Sequence, residues 1–162
     1  MTVLRFKSAK YSIERPLHIG ATLAGADDDG LAELSDFGLP LGEAFQLRDD
    51  LLGVFGDAAT TGKPAGDDLV EGKRTVLVAL ALDAAPPEQA ALLDRSLGTP
   101  LDEQLLAQLR RVIDDSGAHG QVESVIAALV ERSSAALASA HVDDDARRVL
   151  GDLAAAATDR TV

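Results

Sequence analysis

The stretch "LAELSDFGLPLGEAFQLRDDLLGVF", residues 31–55, decides the fold. Leu34, Phe37, Leu41, Phe45, Leu51, Leu52 and Phe55 give it a broad apolar surface at helical spacing, which predicts one long helix from Leu31 to Phe55. Gly38 and Pro40 are expected to bend it. Other helices must cover that surface, and the composition supplies them. Alanine and leucine dominate while aromatics are sparse (four Phe, one Tyr, no Trp), a balance that favours helices over a β-sandwich. The expected fold is therefore all-α. At 162 residues the chain can bury a sizeable core without a disulfide or metal staple, so a single domain over 1–162 is expected.

Working outward towards the N-terminus, Thr2 to Ser12 looks helical. Pro16 then suits the first turn of a helix that runs to Ala24 and stops at Gly25. "ADDDG", residues 26–30, has the composition of a loop and helix N-cap, with Asp27 to Asp29 at the positive end of the next helix's dipole. On the other side, "GDAATTGKPAGDDLVEGK", residues 56–73, is rich in glycine and charge and has almost no apolar periodicity. It reads as a long surface loop, of the kind that is functional or mobile. Past Arg74, helices are expected over 74–84, 87–96, 101–116, 118–140 and 143–158, separated by "APP", "GTP", "SGAHG" and "HVDDD". Asp114, Asp115 and Asp143 to Asp145 read as caps or solvated faces. No internal repeat is visible.

Composition narrows the chemistry. The absence of cysteine rules out disulfides, thiolate metal sites and a cysteine nucleophile, and His18, His119 and His141 lie far apart without ligand spacing. A formal charge of −12 argues against a general nucleic-acid surface. No apolar run is long enough for a transmembrane segment, and "MTVLRFKSAK" lacks the hydrophobic stretch of a signal peptide, so the expected location is cytoplasmic.

Two adjacent aspartates, Asp49 and Asp50, sit inside the long apolar helix. With Gln46 and Gly53 they fall on one side of it within two turns. Such a pair repels itself unless a cation sits between the carboxylates and what faces them, and the hard cation that takes one or two carboxylates plus phosphate oxygens is Mg²⁺. An exposed acidic turn is the simpler alternative for an isolated pair. The lysines weigh against it: all four (Lys7, Lys10, Lys63 and Lys73) precede residue 74, on segments flanking the acidic helix, although arginine outnumbers lysine by eleven to four. Lysine serves phosphate as a compact point charge, so this bracketing suits a diphosphate site.

"FKSAKYSIERPLHIGATLAG", "GEAFQLRDDLLGVFGD", "TGKPAGDDLVEGKRTVLVALAL" and "SGAHGQVE", in that order, resemble the C-terminal half of the trans-isoprenyl diphosphate synthases. This is the polyprenyl synthetase family, which includes the farnesyl and geranylgeranyl diphosphate synthases. The resemblance implies a helical bundle of the isoprenoid synthase type, incomplete because the N-terminal helices are missing. It implies prenyl transfer between an allylic prenyl diphosphate and isopentenyl diphosphate. By this resemblance Asp49 and Asp50 match the second aspartate-rich motif, whose carboxylates bind Mg²⁺ bridging the allylic diphosphate, and Gln46 lies beside that diphosphate. Lys7 and Ser8 stand where the family has Lys-Thr, with the lysine on the diphosphate. Lys63 and Lys73 match lysines of a mobile loop, 56–73, that closes over it.

Two departures matter. Gly53 stands where the motif has its third aspartate, leaving Asp57 as the next carboxylate. The family's first aspartate-rich motif and the helices around it have no counterpart in these residues, so product chain length is not legible. The resemblance therefore implies a homo-oligomer or a partner that supplies the other half. A non-catalytic helical module associating with a complete synthase is the competing expectation. A class I terpene cyclase is a third, against which the Gly-Lys-Pro and Gly-Lys-Arg-Thr segments argue.

Overall fold

The computed structural model describes residues 5–57, 62, 64 and 66–158, with side chains from residue 9 onward. The fold is all-α, and no strand occurs among the described residues. A π-helical segment, Arg5–Glu14, leads into α1 (Arg15–Leu23) and α2 (Asp28–Phe55). The one-turn α3 (Asp67–Val70) follows, then α4 (Val76–Ala84), α5 (Pro87–Ser96), α6 (Glu103–Asp115), α7 (Ala118–Ser139) and α8 (Asp144–Thr158).

The helix boundaries follow local chemistry. Asp27 accepts the Gly30 N–H at 2.9 Å ahead of α2, Thr75 accepts the Val78 N–H ahead of α4, and Asp102 accepts the Leu105 N–H at 2.7 Å ahead of α6. Asp143 does the same for α8 through the Ala146 N–H at 2.8 Å. Each side chain thus satisfies a donor that has no partner inside its own helix. The first segment, expected to be helical over Thr2 to Ser12, winds over Arg5–Glu14 in the wider π form. The 56–73 segment, expected as a loop, contains the turn of helix α3; Leu69, fully buried, anchors it.

The chain forms two compact units, one of residues 1–46 with 125–161, the other essentially 47–124. In the first, Phe37, Leu41 and Leu137 form a buried cluster flanked by Ile13, Leu17, Val142 and Leu150. Gly42 lets α2 meet the π-helical segment backbone to backbone, since a Cβ there would lie 2.4 Å from Ala9 Cα. Gly38 is also a place of close approach, with Leu17 Cδ1 2.8 Å from where its Cβ would be. Pro40 lies inside α2 and cannot donate to the helical ladder; nearby, the Ser133 hydroxyl donates to the Phe37 carbonyl at 2.9 Å. Arg147 closes the C-terminal end of α7 by donating to the carbonyls of Leu137, Ala138, Ala140 and Val142, which suits the negative end of the helix dipole.

In the second unit the buried side chains include Leu47, Leu51, Val54, Leu69, Leu77, Val78, Leu93, Leu109 and Ile113. Truncating one such leucine to alanine costs about 2–5 kcal/mol, so this core sets the position of whatever polar groups stand on its rim. Arg110 lies across the end of α2, with Nε donating to the Val54 carbonyl at 2.7 Å. The Phe55 ring stacks on His119 with centroids 4.3 Å apart. No helix among the described residues is long and apolar enough to cross a membrane.

Candidate active site

The second half of α2 carries the acidic pair. Leu47, Leu51 and Val54 are buried on the core side of this stretch, which fixes the rotation of the helix and hence of the residues between them. Asp49 is exposed, whereas Asp50 is buried to 7 % exposure. Gln46, partly buried, is one turn earlier. Arg48 is held by α7, donating to both carboxylate oxygens of Glu123 at 2.6 and 2.9 Å.

Lys73 follows α3. Its ammonium donates to Asp68 Oδ1 at 2.5 Å and lies 2.8 Å from Glu71 Oε2, and these two carboxylates raise its pKa above the ordinary lysine value, so it stays charged. The side chain remains 44 % exposed, so it can still meet an anion.

Asp68 is the residue that the sequence did not single out. It is buried to 5 % exposure, and its second oxygen stands over Gly53: a Cβ built on Gly53 would lie 2.2 Å from Asp68 Oδ2 and 2.4 Å from its Cγ. Gly53 is thus the place where α2 is thin enough for Asp68 to approach. The missing carboxylate at 53 and the paired aspartates of "GDDLVEGK" were the only signals in the sequence, and neither shows that the two meet.

Of the expected site residues, Gln46, Asp49 and Asp50 lie together on α2, and Lys73 is tied through Asp68 to the turn that follows them. The Lys7 and Ser8 backbone belongs to the π-helical segment; their side chains, and Lys63 altogether, lie outside the described residues. Asp57 is exposed just beyond the end of α2. No three aspartate, glutamate or histidine side chains converge as a metal cage among the described residues. Two carboxylates with oxygen donors only is nonetheless the donor set of a Mg²⁺ site completed by substrate phosphate oxygens and water, so the residues fit that ion.

Residues 1–114 match the sequence model of the polyprenyl synthetase family. The chain belongs to the polyprenyl synthetase family. It is 38% identical over 133 residues to a geranylfarnesyl diphosphate synthase of Aeropyrum pernix, a match covering 82% of this chain and 41% of the relative. A geranylgeranyl diphosphate synthase of Mycobacterium tuberculosis is 49% identical over 77 residues, 46% of this chain and 22% of that one. Among solved structures, the geranylgeranyl pyrophosphate synthase of Corynebacterium glutamicum, complexed with isoprenyl diphosphate and magnesium, superposes with a TM-score of 0.95 at 46% identity, covering 99% of this chain and 46% of that chain. The chain thus spans less than half the length of these relatives.

Proposed function

We propose that this member of the polyprenyl synthetase family takes part in isoprenoid biosynthesis as an isoprenyl diphosphate synthase, a prenyltransferase that joins an allylic prenyl diphosphate to isopentenyl diphosphate. The observation that carries the reading is the placement of two adjacent carboxylates, Asp49 and Asp50, on the same helix whose next turn holds the charged Lys73 through Asp68. Two carboxylates on one helix, with a charged lysine carried on the segment that packs against its Gly53, suit a diphosphate accompanied by a divalent cation. The solved relative complexed with isoprenyl diphosphate and magnesium is consistent with it.

In this reading Asp49 and Asp50 hold Mg²⁺, and the ion, when bound, withdraws charge from the departing diphosphate. Lys73 presents a permanent positive charge to the same diphosphate, because Asp68 and Glu71 keep it protonated and restrict its motion. Lys7, Ser8, Gln46 and Lys63 complete the diphosphate contacts, and the 56–73 segment closes over the ligand. The facing carboxylates and the arginines for the homoallylic diphosphate lie outside these 162 residues, within one domain that these residues help to build. Product chain length is set there, away from Asp49 and Asp50.

The test is the melting temperature of the purified chain with Mg²⁺ alone, with farnesyl diphosphate alone, and with both. A ligand that binds only the folded state raises the transition, by about 2.7 kcal/mol at a hundredfold excess over Kd. The expected result is a rise that needs both ligands. A cooperatively folded sample that responds to neither combination would overturn the reading.

A further inference from the structure

The start of α7 grips the second half of α2 at two points, on a side of the helix away from Asp50. Arg48 and Phe55 are seven residues apart, two helical turns, so they share a face of α2; His119 and Glu123 are four apart and share a face of α7. Asp50 is two residues beyond Arg48, about 200° further around the helix, which places it on nearly the opposite face.

The two faces meet pairwise. The Arg48 guanidinium donates from Nη1 to Glu123 Oε1 at 2.6 Å and from Nη2 to Glu123 Oε2 at 2.9 Å. The Phe55 ring stacks on the His119 imidazole, with centroids 4.3 Å apart and planes 15° from parallel. His119 is held in turn, its Nδ1 donating to Asp114 Oδ1 at 2.7 Å at the end of α6.

We propose that Glu123 is a positioning residue for the acidic pair: acting through Arg48, with the Phe55 and His119 stack as the second point of hold, it sets the roll of α2 and so directs Asp49 and Asp50 at the ligand. The proposal rests on the function assigned above and adds to it a residue that touches neither metal nor diphosphate.

Two considerations carry it. The first is geometric. A helix held at one point can pivot there, whereas Arg48 and Phe55 hold α2 at points about 10 Å apart along its axis. The carboxylates stand about 5–6 Å from that axis, so a roll of about 15° would carry them about 1.5 Å, against a tolerance of about 0.5 Å for a binding constellation. The second is the stiffness of the contact. Apolar packing of Leu47, Leu51 and Val54 is non-directional, but two parallel bonds from a planar guanidinium fix both distance and angle. The Arg48 side chain is only 13 % exposed, so water competes little for those bonds.

The test measures Mg²⁺-dependent binding of inorganic diphosphate by calorimetric titration, below the melting transition of every chain, in the parent, Arg48→Met, Glu123→Ala and the double variant. Melting temperatures without ligand report stability separately. Each single change breaks the same clamp, so each is expected to weaken binding about tenfold, and the double variant by no more than about twofold beyond either. Stability moves differently: Glu123→Ala, which leaves the more buried partner unpaired, lowers the melting temperature more than Arg48→Met does. Equal losses of binding beside unequal losses of stability distinguish positioning from a purely structural role, in which binding follows stability. Arg48→Lys keeps the charge but cannot make the two parallel bonds, and is expected to bind at least about threefold more weakly than the parent, so the test stands if Glu123→Ala fails to fold.

Parent-like binding by a folded Glu123→Ala chain or by Arg48→Lys would overturn the proposal while leaving the assigned function intact. So would losses that multiply in the double variant, or losses ranked as the melting temperatures are. A parent without Mg²⁺-dependent diphosphate binding would overturn both.

Discussion

Arg48 and Glu123 meet through two parallel hydrogen bonds, Nη1 to Oε1 at 2.6 Å and Nη2 to Oε2 at 2.9 Å, so the residue immediately before Asp49 is clamped to α7. The pair is lopsided: the Arg48 side chain is 13 % exposed and that of Glu123 is 38 %. Removing Glu123 deprives a largely buried guanidinium of its carboxylate, while removing Arg48 leaves a carboxylate that water can reach. Glu123→Ala is therefore expected to cost more than Arg48→Met, about 1.5–3 kcal/mol against about 1 kcal/mol or less, in denaturant unfolding. Equal losses, or a larger loss for Arg48→Met, would mean that burial does not govern this pair.

Glycine substitutions should separate close approach from helix propensity. Gly151, within α8, has nothing within 4 Å of a Cβ, so Gly151→Ala should raise stability by up to about 1 kcal/mol. Gly53→Ala meets the Asp68 carboxylate and should lose that gain, because displacing Asp68 strains its pair with Lys73 and overpacking costs about 1–3 kcal/mol. Melting temperatures of the two variants moving up together would contradict the placement of Asp68.

The turn after α7 contains an exposed pH-sensitive contact. His141 Nδ1 lies 2.6 Å from Glu33 Oε1, and the His141 backbone N–H donates to Glu33 Oε2 at 2.7 Å. The hydrogen bond to Glu33 raises the His141 pKa above its ordinary 6.5, against a smaller opposing effect of Arg147. The backbone hydrogen bond, followed by the side-chain one, lowers Glu33 below 4.5. For the histidine, whose folded value is raised, the stabilisation is fully present below about pH 6.5 and is lost as pH rises through the higher folded value. For the glutamate, whose folded value is depressed, it is present above about pH 4.5 and is lost as pH falls through the lower folded value. The window of full effect is thus about pH 4.5 to 6.5. His141→Ala should lower the melting temperature at about pH 5.5 and do so much less at about pH 8.5. A pH-independent difference would show that the ionic contact contributes nothing beyond the backbone bond.

Asp50 and Lys73 should affect ligand binding differently. Asp50→Ala is expected to abolish the Mg²⁺-dependent stabilisation by an allylic diphosphate, and Lys73→Ala to weaken diphosphate binding by about tenfold while leaving residual affinity for Mg²⁺. Thermal-shift titrations with each ligand separate the two. An Asp50→Ala chain that binds an allylic diphosphate as tightly as the parent does would remove Asp50 from the site.

How much was legible can be argued from α2. Its apolar spacing placed the helix correctly from Leu31 to Phe55, with the observed start only a turn earlier, and the caps at Asp27 and Asp143 were visible as local residue choices. Asp49 and Asp50 stood out because two charges broke an apolar pattern. Gly38, expected with Pro40 to bend the helix, is also a contact point for Leu17, since a glycine in a string of letters does not say whether it leaves room for a neighbour. The one-turn helix α3 escaped notice because four residues are too few to display a period, and it is held by contacts outside it, the burial of Leu69 and the hydrogen bond from the Gly98 N–H to the Leu69 carbonyl.

The sequence by itself determined that this chain is all-helical, where most helices start and stop, and which carboxylates and lysines are of interest, because helical period, capping and charge are properties of neighbours along the chain. Only the tertiary structure decided that Asp68 stands over Gly53, that Lys73 is held by Asp68 and Glu71, and that Arg48 answers to Glu123. The Arg48–Glu123 pair and the approach of Asp68 to Gly53 join residues well separated in the chain, whereas Lys73 is held within its own turn. They depend on packing between elements, where the volume a glycine leaves empty is filled by whichever side chain the core delivers there.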